Sequence, residues 1–274
     1  MTATSRAIAC FTFDNMAEAA DVGAGVLDGA RPTGGDPSLA IGYPKLFALL
    51  ERHGIRASFF IEGWNGEHHP DAVAEIVRRG HELGMHGWTH ESWAQLEPAQ
   101  EQQLALRATA ALEHAAGVRP IGFRAPGGAR SEHTESILRD LGYGYDASLG
   151  DGMRATMLPS GLAQVPFAWT GVDGFYYLRP EPVDPVLVRD RWLHALNDTA
   201  AHGGLFLTIC HAFITGVAEA RLAALGAVMS AARADERITI LTAGEIAQRL
   251  REAAKANHRS APNQVPSPSG RGSG

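Results

Sequence analysis

The sequence predicts an α/β fold in which parallel strands alternate with helices and close into a barrel. Short runs of apolar and β-branched residues alternate with longer helix-like segments along almost the whole chain. Several helical segments open on Pro, Ser or Asp and close on Gly, which are helix start and stop signals. Eight such strands within about 240 residues favour a closed barrel over an open sheet.

The elements follow one another regularly, with a single interruption. The predicted strands occupy 7–13, 56–63, 81–87, 121–127, 143–149, 163–169, 205–212 and 237–243. The predicted helices occupy 44–54, 70–80, 98–117, 131–142, 184–204 and 220–234. Between 150 and 180 Gly, Pro and aromatic residues predominate, which indicates an irregular insertion over the barrel mouth. Residues 1–256 are expected to form one domain, and the Pro/Ser/Gly-rich residues 257–274 a disordered tail.

The composition excludes several kinds of partner. The chain has 274 residues, 45% of them hydrophobic, which suffices for a full core. Its formal net charge is −6 and no basic block is present, so neither a nucleic acid nor an anionic membrane is an expected partner. No apolar stretch approaches the roughly 20 residues of a membrane helix, and the first residues lack the pattern of an export signal. We therefore expect a cytoplasmic protein that acts on a small molecule, and we leave homo-oligomer formation open.

Residues with useful chemistry fall at one end of the predicted strands. Asp14 ends the first strand, His86 the third, Arg124 the fourth and His211 the seventh, while Asp146 lies on the fifth. Active sites of parallel barrels lie at the carboxyl ends of the strands, so these residues are expected to share one rim.

Spacing and strand period refine this prediction. His86 and His90 are four residues apart, which lets both imidazoles reach one divalent ion. Along the seventh strand His211 alternates with Cys210, so the two side chains face opposite ways, and Cys210 is not expected to be a nucleophile. Cys10 and Cys210 are interpreted as reduced core residues.

Five motifs then give the sequence a family resemblance. They are "TFDN" (12–15), "HGWTH" (86–90) preceded by "GHELG" (80–84), "RAPGG" (124–128), "YDASL" (145–149) and "LTICH" (207–211). In this order they resemble the motifs of the NodB-type polysaccharide deacetylases, carbohydrate esterase family 4, over roughly residues 6 to 250. The stretch 165–177 further resembles the branch that contains intracellular deacetylase-like, cyclic-imide and allantoin hydrolases. The resemblance implies a distorted barrel of seven or eight parallel strands and a divalent metal, zinc first, with cobalt, nickel or manganese as alternatives.

The resemblance also implies a role for each matching residue. Asp14 would be the general base and His211 the general acid that protonates the departing amine. Arg124 would pair with Asp14, and Asp146 would orient His211. His86 and His90 would bind the metal. The backbone N–H of Gly127 would help to bind the oxyanion.

The family's second Asp, which binds the metal, is replaced here by Asn15. An amide oxygen is a neutral ligand, and the loss of one charge at about 4 Å from a dication costs at most roughly 4 kcal/mol at an effective dielectric of 20. We therefore expect weak metal binding. Three alternatives stay open at this stage: Asn15 binds the metal; Asp14 binds it directly while Glu18 reaches the rim; or no functional metal is bound.

Other candidates concern the substrate. Trp88 lies in the histidine motif and is a candidate pocket wall, while Trp169, Asp173 and Tyr176 lie in the irregular insertion, where substrate selection is expected. The sequence as a whole predicts metal-dependent hydrolysis of a non-peptide amide, foremost N-deacetylation of an amino sugar or a small N-acetylated metabolite. The alternatives are ring-opening of a cyclic imide or ureide, and a non-catalytic carbohydrate-binding protein that has lost its metal.

Overall fold

A computed structural model describes residues 7–29 and 31–260. Its nine described strands are β1 (Ala7–Asp14), β2 (Ser58–Ile61), β3 (Glu82–Met85), β4 (Gly122–Phe123), β5 (Tyr145–Asp146), β6 (Thr156–Met157), β7 (Ala163–Gln164), β8 (Gly204–His211) and β9 (Ile238–Ile240). Its described α-helices are α1 (Ala19–Gly23), α2 (Tyr43–His53), α3 (Gly63–His68), α4 (Pro70–Arg78), α5 (Pro98–Ala116), α6 (Thr134–Asp140), α7 (Asp173–Tyr177), α8 (Pro185–His202), α9 (Glu219–Ala234) and α10 (Ala243–Ser260).

The strands form one mostly parallel sheet that curls into an incomplete barrel. The order is β6-β7-β5-β4-β3-β2-β1-β8, and only β6 and β7 are antiparallel. Strand β1 pairs with β8 along its whole length, with β9 near its start and with β2 near its end. A parallel bridge between Val172 and Ile209 joins the segment after β7 to β8, so the two ends of the curled sheet come together. The predicted distorted barrel is confirmed.

All eight predicted strands form, although several are shorter than predicted. The ninth, β6, lies inside the stretch 150–180, before the strand predicted at 163–169. That stretch also holds the short helix α7. Helix α10 continues to Ser260, and the rest of the predicted tail, 261–274, lies outside the described residues.

The strand register brings the site residues together. Asp14 at the end of β1 lies opposite both Phe60 of β2 and His211 of β8. Phe123 of β4 lies opposite Asp146 of β5 in the same way. Because parallel strands in register end at the same edge, the carboxyl ends of β1, β3, β4, β5 and β8 share one rim.

Apolar burial on both faces of the sheet holds this rim in place. β1 is buried along almost its whole length, and the Phe13 ring stacks on Phe59 of β2 with the ring centroids 4.9 Å apart. Helices pack outside, as the amphipathic α4 does by burying Val73 and Ile76. Within the described residues, no helix combines the length and apolar character needed to cross a bilayer.

Candidate active site

A buried ion pair lies at the centre of the rim. The Arg124 Nη1 donates to the Asp14 Oδ1 at 2.7 Å, and both side chains are almost fully buried. Arg124 Nη1 also donates to the Thr12 Oγ1, and Nε donates to the Ala147 carbonyl, each at 2.8 Å. The guanidinium lies over the Phe60 ring, 4.2 Å from the centroid. A charge buried this deeply is stable only when it is paired, so Arg124 and Asp14 stabilise each other and fix each other in place. The predicted Asp14–Arg124 pairing is present.

His86 and His90 lie side by side next to this pair, with ring centroids 5.1 Å apart. His86 Nδ1 lies 2.8 Å from the Arg124 carbonyl oxygen; since a carbonyl only accepts, Nδ1 carries the proton and Nε2 keeps its lone pair. Burial lowers the pKa of His86 to about 3, and burial also lowers the pKa of His90. Both imidazoles are therefore neutral near pH 7, which is the form that binds a metal.

His211 meets a different partner from the one the resemblance implies. Its Nδ1 lies 2.6 Å from Asp173 Oδ1, and its backbone N–H donates to Asp173 Oδ2 at 2.8 Å. The Thr215 hydroxyl also donates to Asp173, which is fully buried at the start of α7. Burial by itself lowers the pKa of His211, but the Asp173 carboxylate, with smaller contributions from Asp14 and Glu62, raises it above the ordinary value. Asp173, predicted to contact substrate, thus orients the histidine.

The predicted pairing of Asp146 with His211 is wrong. Asp146 Oδ1 accepts from the Ser148 backbone N–H and hydroxyl, and Oδ2 lies 3.0 Å from Arg130 Nη1. The Ser148 hydroxyl also accepts a hydrogen bond from the backbone N–H of Ala125, one residue beyond Arg124. With these partners, Asp146 supports the loop after β4 instead of the histidine.

Asn15 holds a second acid behind the rim. Its backbone has a φ of 63°, and its Nδ2 donates to Glu62 Oε1. Glu62 directly follows β2, is fully buried, and also accepts from the Met16 N–H at 3.1 Å and from Asn65 Nδ2 at 3.0 Å. Burial raises the pKa of Glu62 to about 8. The sequence analysis missed Glu62, although a carboxylate directly after the apolar run "SFFI" is the same signal that singled out Asp14.

Glu18 does not reach the rim, contrary to one of the sequence-based alternatives. It accepts from the Thr33 N–H and from His69 Nε2, each at 2.8 Å, and from the Thr33 hydroxyl. These bonds lower the pKa of Glu18 to about 2 despite its burial. They tie the loop after α1 to the loop before α4, so Glu18 has a structural role.

A cavity of about 420 Å³ opens onto the rim. Its polar end consists of Asp14, Asn15, His86, His90, Arg124 and His211. Positive φ occurs at only three non-glycine residues of the described ranges, Asn15, Ala17 and His90, and two of them line this cavity. Such strained backbone concentrates at functional sites.

The predicted substrate contacts divide into two groups. Gly127 and Trp169 line the cavity. Trp88 does not: its indole is buried against the Arg107 guanidinium, 3.6 Å from the ring centroid. Tyr176 is buried as well, and its hydroxyl donates to the Thr170 carbonyl at 2.9 Å. Trp88 and Tyr176 face the core because neighbouring helices cover them, so their predicted substrate contacts are wrong.

Both cysteines are buried and free, and burial raises the pKa of each thiol, so neither is a nucleophile at this rim. His81 is buried too: its ring stacks on Phe47 with centroids 5.7 Å apart, and burial lowers its pKa to about 4.

The fold and the rim residues define a class of protein, and comparison with known sequences agrees. The polysaccharide deacetylase family model matches residues 3–145, just over half of the chain. The chain belongs to this family.

Individual relatives extend the comparison. A peptidoglycan deacetylase-like protein from Gibberella zeae is 36% identical over 125 residues, which are 44% of this chain and 37% of that protein. The match thus spans little more than a third of the curated relative. A solved polysaccharide deacetylase candidate from Mycobacterium smegmatis is 26% identical, with a TM-score of 0.83 and 93% coverage of both chains. A solved allantoinase superposes with a TM-score of 0.75 and 92% coverage of both chains at 18% identity, which shows the fold alone.

Proposed function

We propose that the protein is a metal-dependent hydrolase that removes the acetyl group from the nitrogen of a small N-acetylated molecule. One observation carries the proposal: a paired Asp–Arg and a paired His–Asp flank two neutral histidines in one cavity. Amide hydrolysis needs a base for water, a stabilised oxyanion and an acid for the leaving nitrogen, and this rim has candidates for each.

The donor set fits a divalent metal. His86 keeps an unprotonated Nε2, His90 lies beside it, and Asn15 donates through Nδ2 to Glu62, which leaves its Oδ1 free for another partner. In the described residues no three His, Cys, Asp or Glu side chains are grouped as metal ligands, and this agrees with a third ligand that is an amide. We infer that His86, His90 and Asn15 would hold the ion. When bound, a divalent metal polarises the carbonyl and acidifies water.

Asp14 supplies the base. Arg124 donates to its carboxylate and orients it at the cavity that Asp14 lines. Because Arg124 is itself held by Thr12 and Ala147, Asp14 stays in place when a proton arrives.

His211 supplies the acid. Asp173 holds Nδ1 and raises the pKa of the imidazole, so His211 keeps a proton to give to the departing nitrogen near neutral pH. The nitrogen gains that proton as the C–N bond breaks and so leaves as a neutral amine, and the Asp173 carboxylate stabilises the imidazolium beforehand. Gly127 lines the same cavity, and its backbone N–H is our candidate donor to the oxyanion.

Acetate release from a panel of N-acetylated small molecules tests the function. We expect turnover that a chelator abolishes and that zinc or cobalt restores. Turnover that survives complete chelation would remove the metal from the proposal, and no acetate from any amide would remove the proposal itself. The ring-opening alternative has no support in the comparisons beyond a shared fold.

A further inference from the structure

The cavity has two chemically different sides. Apart from the polar residues named above, its wall is apolar and consists mainly of Trp169, Val172, Phe175, Leu178, Phe213 and Ile214. Apart from the indole N–H of Trp169, these side chains offer no hydrogen-bonding group. A ligand on this side is therefore held by apolar contact and not by polar pairing.

The apolar wall continues out of the cavity onto the surface. Leu178 is 65% exposed, Phe213 44% and Trp169 43%. Large apolar side chains grouped at a cavity mouth indicate a surface that a ligand covers.

The wall lies on the side of His211. The Phe213 and His211 ring centroids are 5.4 Å apart, and Phe175 belongs to α7, whose first residue Asp173 holds the histidine. Leu178 directly follows that helix. In the proposed reaction His211 protonates the departing nitrogen, so the wall contacts the part of the substrate that leaves as the amine.

We propose that the amine part of the substrate is an apolar ring or branched alkyl group and not a sugar. This inference rests on the proposed function, because His211 identifies which end of the amide faces the wall. A sugar ring here would bring several hydroxyls against Phe175, Leu178 and Phe213, and each hydroxyl that loses water without gaining a partner weakens binding about tenfold.

A matched pair of amides tests the inference. N-cyclohexylacetamide and N-acetylglucosamine both carry an acetamide on a six-membered ring, and only the second bears hydroxyls. With the zinc-loaded protein we expect kcat/KM for acetate release to be at least tenfold higher for N-cyclohexylacetamide. Equal values, or a preference for N-acetylglucosamine, would overturn the inference and leave the proposed function intact.

Binding is measured in parallel by saturation-transfer NMR with the same two amides. If neither amide is hydrolysed, the panel of N-acetylated molecules decides the proposed function, and binding of these two amides decides the nature of the wall. Binding of N-cyclohexylacetamide at least tenfold tighter than that of N-acetylglucosamine would support an apolar wall, and equal or weaker binding would overturn it.

Two exposed leucines provide a matched pair of variants. Leu178→Asn changes the wall, whereas Leu187→Asn changes an exposed residue, 54% accessible, that lies on α8 and outside the cavity. We expect Leu178→Asn to lower kcat/KM for N-cyclohexylacetamide about tenfold relative to its effect on N-methylacetamide, and Leu187→Asn to leave that ratio unchanged. The same ratio in both variants would contradict a role for the wall.

Discussion

His86 and His211 occupy equivalent places, but their pKa values are shifted in opposite directions. Each lies at the carboxyl end of a parallel strand or directly after it, is shielded by the core, and binds oxygen through Nδ1. For His86 the oxygen is a neutral carbonyl, and burial lowers the pKa to about 3. For His211 the oxygen belongs to the Asp173 carboxylate, which raises the pKa above its ordinary value. The charge of one partner thus decides whether a buried histidine is suited to bind a metal or to donate a proton.

Removal of the neutral histidine is expected to have the largest effect. His86→Ala deletes a proposed metal ligand, and we expect the loss of retained zinc and at least a 10³-fold fall in kcat/KM. Metal analysis after dialysis and acetate release measure the two effects. His81→Ala serves as the control, because His81 is also buried and neutral but lies away from the cavity. Retention of zinc by the folded His86 variant would contradict the assignment.

Removal of the Asp173 charge should shift the pKa of His211 downward, in the direction of the pKa of His86. Asp173→Asn keeps a hydrogen-bonding side chain but removes the carboxylate, so the pKa of His211 should fall. We expect kcat to fall about 10²- to 10⁴-fold near neutral pH, because the acid loses its proton.

NMR titration of the His211 imidazole follows this change directly. Asp146→Asn is the matched control, because Asp146 is a buried carboxylate that the resemblance implied for this role but that binds Arg130 and Ser148 instead. If Asp146→Asn shifted the pKa of His211 as much as Asp173→Asn does, the corrected pairing would be refuted.

The proposed role of Asn15 as a neutral metal ligand can be tested by exchanging the acid and the amide between positions 15 and 62. Asn15→Asp alone replaces the donor to Glu62 with a second acid, so one of the two carboxyl groups must keep a proton to preserve the bond. The double variant Asn15→Asp with Glu62→Gln restores the bond with donor and acceptor exchanged, and it adds a charge beside His86 and His90. We expect this variant to bind zinc at least tenfold more tightly than the parent protein.

Competition with a chromogenic chelator measures that affinity. The single Asn15→Asp variant, in which two buried acids face each other, should gain less affinity or lose stability. If the double variant binds zinc no more tightly than the parent, the argument that Asn15 weakens the site by its missing charge does not hold.

Replacement of Glu18 is expected to have the smallest effect on activity. Its carboxylate contacts a third histidine, His69, away from the cavity. The pKa of Glu18 is about 2 in the folded protein against 4.5 ordinarily, so its stabilisation is complete above pH 4.5 and is lost as the pH falls through 2. We expect Glu18→Gln to lower the free energy of unfolding by about 1–3 kcal/mol at pH 7, and by less near pH 3.

Urea unfolding at pH 7, 4 and 3 checks this dependence. Asp235→Asn is the control: hydrogen bonds from Arg237 lower the pKa of Asp235 to about 2 as well, but the pair lies at the surface, where solvent screens it. We expect a smaller change there. A Glu18→Gln effect that is independent of pH would contradict the role of the charge.

The sequence by itself determined the strand order along the chain, the shared rim and most of its chemistry. Apolar runs and helix signals are local, and parallel strands place their carboxyl ends together, so Asp14, His86, Arg124 and His211 could be assigned to one edge in advance. The replacement at Asn15 was visible because "TFDN" (12–15) resembles a family motif that has Asp at this position.

Only the tertiary structure decided which groups pair across the rim. Asp173 precedes His211 by 38 residues and reaches it because the bridge from Val172 to Ile209 brings the irregular segment against β8. Glu62 meets Asn15 because β2 pairs with β1 in a register that no local pattern specifies. Trp88 and Tyr176 are buried because helices pack over them. Such contacts depend on strand register and long-range packing, and these arise from the collective burial of the whole core instead of from any short stretch of sequence.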